Sequence, residues 1–273
     1  MNNSYIDHYR TARYVYRRYT ITSANDTSID ASKVETIHNP LRGNIAFEKD
    51  VEALSISVCN MFESGQNVEE STSGYRIIRD LAYAVSLAEV SNHVTEYARS
   101  RIFNSFVKVE YAEIVENKRR KDRAGSFIWH YDDCPNMYLK VLIHLNSVKD
   151  HSFGAFQYME KNNGRPMVMT SSRVGPGTRK NQALPGSRVS DELAEYWLAN
   201  WAHSRFFVGE RGSHLVFSPN IIHRASPAYS SCKRPRIALF LFIRPSLEEH
   251  SYHHSALPVN IIGSTDVKAY SLD

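Results

Sequence analysis

His130 and Asp132, in the run Ile128-Trp129-His130-Tyr131-Asp132, lie two residues apart, and along an extended strand that spacing points both side chains to the same side. Both can then reach one metal ion. A third ligand has to come from far along the chain, and His223, at the end of GSHLVFSPNIIHR, is the natural candidate. Two imidazoles and one carboxylate make the facial set that leaves positions open on Fe(II), which is what oxygen activation requires. An isolated His-x-Asp is common by chance, and Asp132 could equally hold His130 by a structural hydrogen bond. Arg236 adds context. It opens the apolar run RIALFLFI 13 positions after His223 (236 − 223), and a guanidinium deep in a barrel needs a carboxylate partner because an unpaired buried charge is costly. A dicarboxylate co-substrate would supply that partner through a two-pronged contact.

These residues need a scaffold that brings distant strands together, and the hydrophobic periodicity supplies one. Before about residue 105 the period is helical, with Val51, Leu54, Val58, Met61 and Phe62 in one segment and Ile77, Ile78, Leu81, Ala82, Val85, Val94, Tyr97 and Ala98 in a longer one. From Phe106 the segments shorten and alternate: FVKVEYAEIV, SFIWHYD, YLKVLIHL and GAFQYM. In YLKVLIHL, Leu139, Val141, Ile143 and Leu145 fall on one face and Lys140, Leu142 and His144 on the other, as in a sheet covered on both sides.

Residues 161–189, rich in Gly, Pro, Asn, Ser and Arg, read as a long loop around Gly175, Pro176 and Gly177 that could close over a site. A helix follows, capped by Ser190 and carrying the apolar stripe Leu193, Trp197, Leu198 and Trp201. Strands then resume as RFFVG, SHLVF and RIALFLFI. The expected fold is α+β, with a double-stranded β-helix core (jelly-roll, cupin-like) over about 105–246. A helix-rich region at 1–104 packs against it and a tail at 247–273 follows, the 273 residues forming one domain.

Composition is that of an ordinary globular protein, with 42% hydrophobic and 23% charged residues, so disordered and fibrous classes are disfavoured. The net charge of +4 is mild. The basic run Lys118 to Arg123 has no interleaved aromatic residues, so a solvated loop or an anionic small molecule suits it better than nucleic acid. Cys59, Cys134 and Cys232 have neither disulfide-framework nor zinc-site spacing, which suggests a reducing, cytoplasmic location. No stretch approaches the roughly 20 apolar residues of a membrane span. His250, His253 and His254 read as a polar surface tail, and His214 as a packing residue.

At WHYDDCPNMYLKVLIHLNSV, GAFQYM and GERGSHLVFSPNIIHRASP followed by RPRIALF, the chain resembles the phytanoyl-CoA dioxygenase-like family of Fe(II)- and 2-oxoglutarate-dependent oxygenases. The resemblance spans roughly residues 105–245. It implies that His130, Asp132 and His223 hold Fe(II), and that Arg236 binds the distal carboxylate of 2-oxoglutarate. The implied reaction uses O2 to oxidise, most simply hydroxylate, an unactivated C–H bond of a small molecule, with release of succinate and CO2. Relatives that halogenate lack the acidic ligand, so Asp132 favours hydroxylation or desaturation. The family's basic residue often stands about eleven places after the second histidine, which would select Arg234, whereas the Arg-x-Ala-apolar context selects Arg236. His144 stands where relatives often have an aromatic residue beside the co-substrate; it reads either as a donor to 2-oxoglutarate or as a core histidine. A hydrolase or isomerase built on the same three metal ligands and a non-catalytic cupin-like binding protein are the alternatives. Substrate identity and oligomeric state have no signature in the chain.

Overall fold

The computed structural model describes residues 36–70, 75–78, 85–117, 125–132, 134, 138–169, 187–229, 232, 234–246 and 249. Within them the elements in chain order are β1 (Ile37–His38), α1 (Ile45–Ser64), β2 (Val68–Glu70), β3 (Tyr75–Ile78), α2 (Val85–Ala98) running into a π-helical turn (Arg99–Phe103), and β4 (Val107–Asn117). They continue with β5 (Leu139–His144), β6 (Phe156–Lys161), α3 (Asp191–Asn200), β7 (Ala202–Phe207), β8 (His214–Phe217), β9 (His223–Ala225) and β10 (Ile237–Pro245).

The strands form two antiparallel sheets, one in the order β1-β8-β5-β10-β4-β3-β2 and one in the order β7-β6-β9. The segment around His130 adds to the smaller sheet beside β9 through a bridge to His223. Successive core segments therefore alternate, except that β6 and β7 follow one another in the small sheet: β4, β5, β8 and β10 lie in the large sheet, while the 130 segment, β6, β7 and β9 lie in the small one. That alternation is a jelly roll, and it closes strands from residues 107 to 245 around a common interior.

β10 shows why the sequence folds this way. Ile237, Leu239, Leu241 and Ile243 pack into the core beneath the helices, while Ala238, Phe240 and Phe242 pack into the core between the sheets. β5 repeats the split, with Leu139, Val141 and Ile143 toward the helices and Leu142 toward the interior. A period of two with apolar residues on both faces is what a sheet buried on both sides requires. α1 is capped by Asn44, whose side chain accepts from the Phe47 amide, and ends at Gly65 with φ 73°. α3 is capped as expected, Ser190 accepting from the Leu193 amide.

The region 1–104 is not uniformly helical where it is described. Its described part holds two α-helices together with three strands, and Ile77 and Ile78, expected within a long helix, lie in β3. The cause is visible in the packing: Ile78 enters the helix-side core and Ile77 the inter-sheet core. A strand can send adjacent residues to opposite faces, and a helix cannot. SFIWHYD also departs from a regular strand, because Gly125–Phe127 forms a 3-10 turn and His130 pairs through isolated bridges.

The expected loop at 161–189 is ordered in its first turn, where Pro166 and Val168 bridge to Glu160 and Ile221. Residues 170–186, including Gly175, Pro176 and Gly177, lie outside the described residues, as do the basic run 118–123, the tail histidines and residues 1–35. Cys59, Cys134 and Cys232 form no disulfide. Among the described residues no helix is long and apolar enough to cross a membrane.

Candidate metal centre

Neighbouring segments of the small sheet bring His130, Asp132 and His223 together, with one candidate ligand atom from each lying within 4.8 Å of the others. His130 and His223 stand opposite one another in antiparallel pairing, exchanging backbone hydrogen bonds of 2.9 and 2.8 Å. Each ring is fixed in the same way: Nδ1 of His130 donates to the Ile128 carbonyl and Nδ1 of His223 to the Ile221 carbonyl, both at 2.8 Å. The protons sit on Nδ1, so both Nε2 lone pairs are available to a metal.

Asp132 does not anchor His130. Its Oδ1 is 3.9 Å from Nε2 of His130 and 3.7 Å from Nε2 of His223, too far for a hydrogen bond. Its partner is Lys140, whose Nζ donates to Oδ2 at 2.9 Å. The Lys140 ammonium also lies over the rings of Phe242 and Phe240, at 4.5 and 4.9 Å.

Electrostatics set all three side chains in the protonation state that a metal would require. Burial, with His223 beside it, drives the His130 pKa well below its usual range, and burial brings His223 down to about 4 against the pull of Asp132. Burial alone would raise Asp132, but Lys140 foremost and then the two histidines bring it down to about 2. At neutral pH the site holds two neutral imidazoles and one carboxylate. Phe156 and Phe217 pack against the His223 ring at 5.2 and 6.1 Å and keep that side dry.

Arg236 lies just before β10 and is 1% exposed. Its Nη2 donates to Oδ1 of Asn117 at 3.2 Å, while Nε and Nη1 are buried without a partner. Burial brings its pKa down to about 10, still a cation at neutral pH. Both Arg236 and Lys140 rest against Phe240, the guanidinium at 5.7 Å, so the free donors share the interior with the His130–Asp132–His223 cluster. Arg234 points elsewhere, 76% exposed and 3.2 Å from Glu63 of α1. His144 is fully buried, stacked on Phe207 at 4.6 Å, with neither ring nitrogen hydrogen-bonded. Burial and then the Arg236 charge bring its pKa down to about 3, so it is neutral. His214 is structural: Nδ1 donates to Gly212 and Nε2 accepts from the Leu41 amide.

Several residues of this interior had no assigned role in the sequence. Lys140 was legible only as a lysine on an inward strand face. Asn117 holds Arg236 because its Nδ2 donates to the Gly154 and Ser226 carbonyls at 2.6 and 3.0 Å, which turns Oδ1 toward the guanidinium. Tyr75, opposite Asn117 in the β3–β4 ladder, is pushed up to about 12 by burial, with Arg236 pulling the other way. Glu113 is pushed up to about 7 by burial, opposed by Lys140. Arg188 faces His130 across the sheet. Nothing in the spacing of these residues marks them, because each acquires its neighbour from a different strand.

No family model matches the chain, and no curated protein does. Its fold is similar to that of several solved structures. The epimerase SnoN, solved in complex with Fe3+, alpha ketoglutarate and nogalamycin RO, is 12% identical, with 85% of this chain and 89% of that chain covered and a TM-score of 0.48. EctD from S. alaskensis, with 2-oxoglutarate and 5-hydroxyectoine, is 16% identical over 77% of this chain and 72% of that one, with a TM-score of 0.47. HygX from Streptomyces hygroscopicus, with nickel and 2-oxoglutarate, is 13% identical over 72% and 80%, with a TM-score of 0.43.

Proposed function

We propose that this protein is an Fe(II)- and 2-oxoglutarate-dependent oxygenase of the phytanoyl-CoA dioxygenase-like type that hydroxylates an unactivated C–H bond of a small molecule. The observation that carries the reading is the pairing, in one interior, of a His-Asp-His donor set with a buried arginine whose Nε and Nη1 have no partner. The donor set suits Fe(II), and the orphaned guanidinium donors suit one carboxylate of a dicarboxylate co-substrate. A hydrolytic metal site has no use for Arg236, which is why the oxygenase reading is preferred over a hydrolase, an isomerase or a cupin-like binding protein.

His130, Asp132 and His223 would hold the metal and Arg236 the distal carboxylate of 2-oxoglutarate. When bound, iron with 2-oxoglutarate and O2 supplies oxidation of a C–H bond, with succinate and CO2 released. The chain's residues do the positioning. The Ile128 and Ile221 carbonyls keep both imidazole protons on Nδ1. Lys140 occupies Oδ2 of Asp132, leaving Oδ1 for the metal. Asn117 aims Arg236, and neutral His144 offers a ring nitrogen to a co-substrate oxygen. Phe156, Phe207 and Phe217 exclude water from the far side.

The test is calorimetric titration of 2-oxoglutarate into nickel-loaded protein, alongside succinate release with Fe(II) in air. The parent should bind, and Asp132→Ala should lose metal and turnover together. Parental succinate release by Asp132→Ala would rule the ligand assignment out.

A further inference from the structure

We propose that Arg188 binds an oxyanion group of the substrate, so that the molecule oxidised carries a carboxylate, phosphate or sulfate near the bond offered to the metal. This rests on the oxygenase reading and names the substrate class for it. Arg188 pairs with His130, and His130 with His223, in antiparallel bridges. Residues directly opposite in such pairs place their side chains on one face, so Arg188, His130 and His223 stand in a row facing the interior. Arg188 thus ends next to a metal ligand.

Among the described residues no ion pair answers its charge there. Nη1 is buried with no hydrogen-bond partner. The acidic group whose field it feels is Asp132, and that carboxylate is already bonded to Lys140. Tyr75, the other group it senses, is a neutral phenol at ordinary pH because burial pushes its pKa up to about 12. Loading the site would not change the balance: the two charges of Fe(II) and the two of 2-oxoglutarate would cancel, with Arg236 holding one carboxylate of the co-substrate. A guanidinium beside a dication, with a buried donor to spare, favours an anion as its remaining neighbour.

The experiment uses the full chain loaded with Ni(II) and saturated with 2-oxoglutarate, titrated with inorganic phosphate, octanoate and, as the uncharged control, octanamide. Octanoate or phosphate should bind at least roughly tenfold more tightly than octanamide, and Arg188→Met should weaken the anion on the order of ten- to a hundredfold. Arg188→Lys should recover part of the loss. Affinity for 2-oxoglutarate should stay within about threefold in both variants. Equal binding of octanoate and octanamide with no response to phosphate would overturn the proposal. So would a loss of 2-oxoglutarate affinity in Arg188→Met as large as in Arg236→Leu, since Arg188 would then serve the co-substrate. If the parent takes up no 2-oxoglutarate, the oxygenase reading fails on its own, and the anion titration of nickel-loaded protein still decides whether Arg188 is an anion site.

Discussion

Lys140 donates to Oδ2 of Asp132 at 2.9 Å, and this ion pair joins the candidate metal ligand to the inward face of β5. Both side chains are largely buried, 11% and 20% exposed. Removing one member of such a pair strands the other, at a cost of about 1–3 kcal/mol. Lys140→Met and Asp132→Ala should therefore each lower the stability of metal-free protein, and the double variant should lose clearly less than the two single losses added. Denaturant unfolding of all four proteins measures the coupling. Strict additivity would show that the pair contributes nothing.

The same centre predicts an acid-labile apo protein. His223 has its folded pKa lowered to about 4 from 6.5, so between those values the unfolded chain binds more protons and stability falls as pH falls. Asp132, lowered to about 2 from 3.8, adds stability that is present above about pH 4 and is lost as pH drops through 2. The His223 window should be worth roughly 3 kcal/mol, since one pKa unit is about 1.4 kcal/mol. His223→Phe should take about one proton's worth of slope out of the stability curve between pH 6.5 and 4, the buried His130 and His144 keeping theirs, and leave the drop below pH 4 in place. Equilibrium unfolding across pH 3–8 tests this, and an unchanged slope between 6.5 and 4 would count against it.

The period of two in YLKVLIHL and RIALFLFI contained most of the core, because a sheet covered on both faces leaves that alternation in the letters. His130, Asp132 and His223 were also legible as candidates, two by spacing and the third by following a strand. What the letters lacked was partnership. Lys140 to Asp132, Asn117 to Arg236 and Arg188 to His130 are contacts between strands far apart in sequence, and register alone creates them. The departure at Ile77 and Ile78 has a related origin: a strand of four residues is too short for periodicity to separate it from a helix.

Gly154 offers a test of how Arg236 is held. Its φ is +81°, and a Cβ there would lie 2.4 Å from Nδ2 of Asn117. Gly154→Ala therefore pays for a strained backbone and displaces the asparagine that aims the guanidinium. Stability should fall by about 1–3 kcal/mol, and affinity for 2-oxoglutarate should fall several-fold while affinity for Ni(II) is kept. Calorimetry of the two ligands separates the effects; equal weakening of both would point to general loosening of the barrel.

Arg236 and Arg234 should separate most clearly, because one mutation moves two readouts in opposite directions. Burial of Arg236 without a full set of partners brings its pKa down to about 10 from 12.5, a charge-desolvation cost of roughly 3 kcal/mol. Arg236→Leu removes that cost, so the metal-free variant should unfold at the same or a higher temperature than the parent, offset by the lost bond to Asn117. The same variant should bind 2-oxoglutarate on the order of ten- to a hundredfold more weakly, since a charge-assisted carboxylate contact is worth about 1.5–3 kcal/mol. Arg234, exposed and paired with Glu63 at the surface, should change neither quantity by more than about 0.5 kcal/mol when replaced by leucine. Thermal unfolding of the apo proteins and titration of the nickel-loaded ones give both numbers. A large loss of 2-oxoglutarate affinity in Arg234→Leu with none in Arg236→Leu would move the co-substrate contact out of the barrel interior.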